Sequence, residues 1–92
     1  MAEVTLRLPT PLQSFADGAG EIRAEAESLS QLLDQLEERY PPLVQRIRAR
    51  DGSLRPHVNI FVRRTDVRQL DGLATRLQNG DEVIVMPSVA GG

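Results

Sequence analysis

Polar and apolar residues alternate from Glu3 to Leu8. Val4, Leu6 and Leu8 fall on one face, Glu3, Thr5 and Arg7 on the other. This predicts a half-buried strand, ended by Pro9 and Pro11. A loop is expected through Gln13, Asp17, Gly18 and Gly20, with Leu12 and Phe15 tucked against the core. Ile22, Ala24 and Ala26 then alternate with Arg23, Glu25 and Glu27, a second strand in a hairpin with a long connection. The period changes at Ser28. Leu29, Leu32, Leu33, Leu36 and Tyr40 share one helical stripe, and Ser28 with Gln31 three residues on fits a capping box. Pro41-Pro42 stops the helix, and Leu43, Val44 and Ile47 predict a further short helical turn before Asp51-Gly52-Ser53. Val58, Ile60 and Val62 form the inward face of a third strand, with Asn59, Phe61 and Arg63 opposite. From Arg64 to Gln78 the pattern is irregular, with Leu70, Leu73 and Leu77 as anchors. Asn79-Gly80-Asp81 signals a turn into a last strand, with Val83 and Val85 on one face and Ile84 and Met86 on the other.

A single apolar helix face needs one sheet to lie on, so the expected fold is a two-layer α+β domain with a mixed sheet. Its core sets Leu29, Leu32, Leu33 and Leu36 against Val4, Leu6, Val58, Ile60, Val83 and Val85. Ninety-two residues hold one such domain and leave no room for a deep enclosed active site. Ser88-Val89-Ala90-Gly91-Gly92 is left over beyond the last strand as a flexible tail.

Composition narrows the chemistry. At 40% hydrophobic and 26% charged residues, the chain reads as ordered rather than disordered. A net charge of −2 argues against nucleic acid or an anionic membrane as partner. Without cysteine there are no disulfides, thiolate metal sites or thiol nucleophiles. The one histidine, His57, cannot build a two-histidine zinc site, and no metal site is expected. Nothing ties it to Ser53 or Asp66 as a triad. No apolar run approaches a membrane span, and Met-Ala-Glu-Val does not start like a signal peptide, so a cytoplasmic domain is the expectation. Glu37-Glu38 and Asp81-Glu82 read as solvated charge, Gly18-Ala19-Gly20 as a turn, and Arg46, Arg48 and Arg50 as a solvated face. All eleven positive charges are arginine and lysine is absent, so no side chain here accepts an isopeptide bond at a lysine.

The last two residues stand apart. Gly-Gly in these positions arises by chance in about one chain in 200 at average glycine usage. Such a thread enters channels too narrow for any side chain. Its carboxylate can attack the α-phosphate of ATP, and a sulfur nucleophile can then displace AMP from the acyl-adenylate.

The order strand–strand–helix–strand–strand, the stretch Asn79-Gly80-Asp81-Glu82-Val83 and the ending Pro87-Ser88-Val89-Ala90-Gly91-Gly92 resemble the ubiquitin-like sulfur carriers of the MoaD/ThiS type. Within that family, Val58-Asn59-Ile60-Phe61-Val62, Asp66-Val67-Arg68, Gly72-Leu73-Ala74-Thr75 and Val89-Ala90-Gly91-Gly92 are most similar to the carrier that serves cysteine biosynthesis. Val85-Met86-Pro87-Ser88 departs from the aromatic-rich final strand and Pro-Pro approach of the molybdopterin branch. The resemblance implies a β-grasp fold and a protein that is a substrate, not an enzyme. It implies no permanently bound cofactor, with ATP used by a ubiquitin-activating-like adenylyltransferase/sulfurtransferase acting on Gly92. A thiocarboxylate at Gly92 would then serve a sulfur-accepting synthase. In the cysteine branch that is a pyridoxal-phosphate cysteine synthase, followed by a tail-processing metalloprotease. Two alternatives stay open: a ubiquitin-like modifier conjugated through Gly92, and carriage for molybdopterin, thiamine, thiosugar, siderophore or tRNA thiolation.

A five-residue tail cannot bind tightly alone, since ordering it costs about 1–2 kcal/mol per residue. Strand alternation sends Phe61, Ile84 and Met86 to the face away from the helix, where they are expected to form a partner-docking patch. The alternative is that the loop around Phe15 covers them as minor core.

Overall fold

The computed structural model describes residues 1–87. Strand β1 (Ala2–Arg7) runs antiparallel to β2 (Glu21–Ala26), with Leu6 opposite Ile22. Between them lies no open loop. Thr10–Gln13 make one helical turn, α1, and Ser14–Ala16 a 3-10 turn. Pro11 fits the first turn of a helix because its missing N–H has no intrahelical acceptor there. Leu12 is buried as expected. Phe15 packs at the edge of the core and stacks under Arg46, whose guanidinium carbon lies 4.7 Å from the ring centre.

Helix α2 (Leu29–Arg39) begins as its sequence predicts. Ser28 Oγ accepts from the Gln31 N–H at 3.2 Å, and Gln31 Oε1 accepts from the Glu27 N–H at 2.6 Å, one residue earlier than the usual reciprocal partner. Pro41 and Pro42 do more than end α2. They occupy the opening positions of α3 (Pro41–Ile47), which buries Leu43, Val44 and Ile47. Arg48 then ties the two helices together through Asp34 at 2.9 Å and Glu37 at 2.6 Å. Burial lowers the pKa of this guanidinium, but hydrogen bonds to Asp34 and Glu37 outweigh that and raise it. The alternating arginines are therefore not one solvated face: Arg48 is turned inward and its side chain is only 12% exposed.

Strands β3 (Val58–Val62), β4 (Thr65–Asp66) and β5 (Glu82–Pro87) complete a five-stranded sheet in the order β2-β1-β5-β3-β4. The central pair β1–β5 is parallel and every other pairing antiparallel. With α2 packed across one face, this is the mixed-sheet β-grasp arrangement. The four stripe leucines and the named inward sheet residues are buried, Leu29, Leu32, Leu33, Leu36, Val4, Leu6, Val58, Ile60, Val83 and Val85, whereas Tyr40, the fifth stripe residue, caps the end of α2 and is only half-buried.

The stretch 64–78 corrects two expectations. Leu70 is not an anchor, being 40% exposed, and Val67 in a 3-10 turn (Val67–Gln69) is fully buried in its place. Asp81 is not solvated. It is 8% exposed, accepts the Gln78 N–H at 2.7 Å and pairs with Arg63. A second 3-10 turn (Gly72–Ala74) leads into Thr75, whose carbonyl accepts the Leu29 N–H at 3.0 Å, while Leu77 N–H donates to the Glu27 carbonyl at 2.9 Å. This segment thereby closes the start of α2. Among the described residues no helix is long and apolar enough to cross a membrane.

Candidate functional site

The Asn79-Gly80-Asp81 turn places β5, and with it the root of the tail. Gly80 takes φ +89°, a left-handed conformation that costs glycine nothing sterically. The Gly80 N–H donates to the Glu3 carbonyl at 2.8 Å, Asn79 Oδ1 accepts the Glu3 N–H at 2.9 Å, and the Thr5 N–H donates to the Asp81 carbonyl at 3.0 Å. Three bonds from one turn lock β5 beside β1. The strand then runs through the middle of the sheet to Pro87, opposite Val58 at the start of β3. Val89, Ala90, Gly91 and Gly92, the expected tail and its reactive end, lie outside the described residues.

The structure does bring the three predicted patch residues together. Phe61 and Ile84 are directly opposed across the antiparallel β3–β5 pair, and Met86 is two pairs further along, opposite Asn59 and on the same face. Opposed side chains of this kind are in contact range. Phe61 and Ile84 are half-buried and Met86 is 50% exposed. Phe15, the residue that would have covered them, is engaged with Arg46 on α3 instead.

The other half of the same face is charged. Arg7 on β1 bridges Glu21 on β2 at 2.8 Å and Glu82 on β5, a ladder across three strands. Hydrogen bonding to Glu82, then the charges of Glu21 and Glu82, raise the Arg7 pKa. The apolar patch thus has a charged border toward β1 and β2 and Asn59 with Arg68 at its far corner, where Arg68 donates to Asn59 Oδ1 at 3.1 Å.

Among the described residues no group of three His, Cys, Asp or Glu side chains could hold a metal ion. Asp66 caps the Arg68 N–H at 2.9 Å, and Ser53 Oγ donates to Asp51 at 2.6 Å, so Ser53 and Asp66 serve turns. Sequence reasoning missed Asp81 and Arg63 as a pair, since nothing local links residues eighteen apart.

A family model for the ThiS family matches residues 6–92. The chain belongs to the ThiS family. Its relatives include the sulfur carrier protein CysO of Mycobacterium tuberculosis, 36% identical over 91 residues, which cover 97% of this chain and 98% of that one. Small archaeal modifier protein 3 of Haloferax volcanii is 43% identical over 65 residues, 71% of this chain and 70% of that one. Among solved structures, a chain of the Amycolatopsis orientalis BexX/CysO complex superposes with a TM-score of 0.88 at 29% identity, covering 97% of this chain and 99% of that one. The ThiS-family relatives carry names of carriers and modifiers, proteins acted upon by enzymes.

Proposed function

We propose that this chain is a sulfur carrier of the CysO type whose functional group is the Gly92 carboxylate. The observation that carries the reading is the family match running through Gly92, joined to the likeness to CysO along nearly the whole chain. In this reading residues 1–87 are the body presented to partners and residues 88–92 the tail that enters them. The carboxylate attacks the α-phosphate of ATP in a ubiquitin-activating-like enzyme, releasing pyrophosphate. A sulfur nucleophile then displaces AMP; where it is a persulfide, a thiol cleaves the S–S bond of the resulting acyl disulfide, forming a disulfide with the donor's sulfur and leaving a C-terminal thiocarboxylate. The sulfur goes to a synthase, for which the CysO likeness favours a pyridoxal-phosphate cysteine synthase, with a metalloprotease trimming the tail afterwards. Val89, Ala90 and Gly91 supply a thread with no bulk near its end, and Phe61, Ile84 and Met86 supply the docking surface that a short tail lacks.

Intact-mass analysis of the protein from its own cells tests this. Exchange of one oxygen for sulfur at the C-terminus is the expected result. Deleting Gly92, or Gly91→Val, should abolish adenylation by the cognate enzyme while the melting temperature stays that of the wild type; continued adenylation of the truncated chain would overturn the reading. One observation favours a second reading, protein modification through Gly92: the likeness to small archaeal modifier protein 3. Conjugates of the chain joined to lysines of other proteins would support it.

A further inference from the structure

Where β5 ends, the molecule has a basic corner. Pro87 is opposite Val58, so the chain leaves the sheet beside the segment that leads into β3, which carries Arg55 and His57. Arg68 reaches back over this segment, donating to the Arg55 carbonyl at 2.8 Å as well as to Asn59. Arg55 is braced from the other side, its Nε donating to the Gln45 carbonyl at 2.7 Å. Between α3 and this segment opens a cleft of about 310 Å³ lined by Pro42, Gln45, Arg46, Arg55 and His57. Of the carboxylates on the adjoining segments, Asp34 and Glu37 both pair with Arg48, while Asp51 accepts from the Ser53 hydroxyl and N–H and Asp66 from the Arg68 N–H. Among the described residues, Arg46, Arg55 and Arg68 form no ion pair with a carboxylate. Three guanidinium groups without a carboxylate partner therefore stand near the root of the tail, in a chain whose net charge is −2.

We infer that this corner docks on an acidic rim at the mouth of the tail channel of the activating enzyme. The inference rests on the adenylation proposed above. Residues 88–92 span at most about 17 Å when fully extended. Whenever Gly92 reaches a nucleotide, the body around Pro87 must come within that distance of it. Held five residues back, Arg46, Arg55 and Arg68 meet the protein surface around the channel and not the phosphates. Guanidinium groups match carboxylates in planar, two-pronged pairs. Exposed charges so placed orient the approach tail-first and act mainly on encounter, with a strong dependence on ionic strength.

The test is adenylation kinetics, read by pyrophosphate exchange with the cognate enzyme, for wild type, Arg46→Glu and Arg55→Glu at about 0.05 and 0.5 M salt. At low salt each variant should raise KM about tenfold with kcat unchanged, and at high salt wild type and variants should converge. Variants equal to wild type at low salt, or a deficit of the same size at both salts, overturn the inference. So does a lower KM, which would mean that the corner holds back the chain's own tail carboxylate. Arg55 also braces α3, so a lowered melting temperature in Arg55→Glu leaves Arg46→Glu to decide; Arg46 stacks on Phe15 and donates no side-chain hydrogen bond within the described residues. A wild-type chain that the enzyme does not adenylate overturns both readings, whereas variants indistinguishable from an active wild type overturn this one alone.

Discussion

The two faces of the β3–β5 pair are made from neighbouring residues and do opposite things. Toward α2, Val58, Ile60, Val62, Val83 and Val85 are at most 4% exposed and close the core. On the other side, Phe61, Ile84 and Met86 are as apolar as the valines yet remain half-buried or exposed. Burial drives the inner face, and each inner residue contributes to folding in proportion to the apolar surface it removes from water. The outer residues leave that surface unspent. An apolar cluster kept at a solvent face, bordered by the Arg7–Glu21–Glu82 ladder and by Asn59 with Arg68, has the anatomy of a docking surface, with an apolar centre and a polar rim.

The largest expected effect lies on the inner face. Ile60→Ala and Leu33→Ala each remove a fully buried side chain and should cost about 2–5 kcal/mol, a large share of the roughly 5–10 kcal/mol available to a small domain. Chemical denaturation monitored by circular dichroism measures this. If Ile60→Ala proved neutral, the strand would be facing the other way and the comparison would collapse.

One residue along, Phe61→Ala should behave differently. Its partner across the strand is Ile84, and a cross-strand pair contributes about 0.2–1 kcal/mol, so the domain should remain folded. Binding to the activating enzyme should weaken by about tenfold or more, as expected for an aromatic at the centre of an interface. Met86→Ala, at a more exposed site, should follow with a smaller loss. Titration calorimetry checks both. Unchanged affinity in the two variants, or unfolding in either, would remove the patch as a docking surface.

Much of this architecture was readable because it repeats. Alternation through Val58–Val62 and the leucine stripe from Leu29 to Leu36 each give several residues that agree on one orientation. The patch followed from the same alternation, since an inward Ile60 sends Phe61 outward. Residues 64–78 have no period, and there burial depends on tertiary partners. Val67 rather than Leu70 fills the core because a 3-10 turn points it inward, and Asp81 is buried with Arg63 reaching it from the turn between β3 and β4. The basic corner was equally hidden. Arg46, Arg48 and Arg50 look alike in the chain, yet Arg48 joins two helices while Arg46 lines the cleft with Arg55. Val89 to Gly92 carry the clearest chemical signal in the sequence and lie outside the described residues.

The β3–β4 hairpin escaped notice for a separate reason, and it offers the smallest test. Tight two-residue hairpin turns of this kind favour Asn-Gly, because both central residues need positive φ. Here Arg63 and Arg64 occupy those positions at φ +51° and +66°, with Val62 opposite Thr65. A left-handed conformation costs an L-residue about 1–2 kcal/mol. At Arg63 the ion pair with buried Asp81 offsets that strain, whereas Arg64 is exposed. Arg64→Gly removes the steric cost but gives back part of the gain in backbone entropy, about 0.5–1 kcal/mol. A net stabilisation of about 0.5 kcal/mol is expected, with no change in affinity for the activating enzyme, because Arg64 lies at the far end of β3 from Val58 and the root of the tail. Denaturation midpoints at constant slope measure the first and calorimetry the second. Weaker binding in a stabilised Arg64→Gly would extend the docking surface to the hairpin tip and away from the corner where the tail departs.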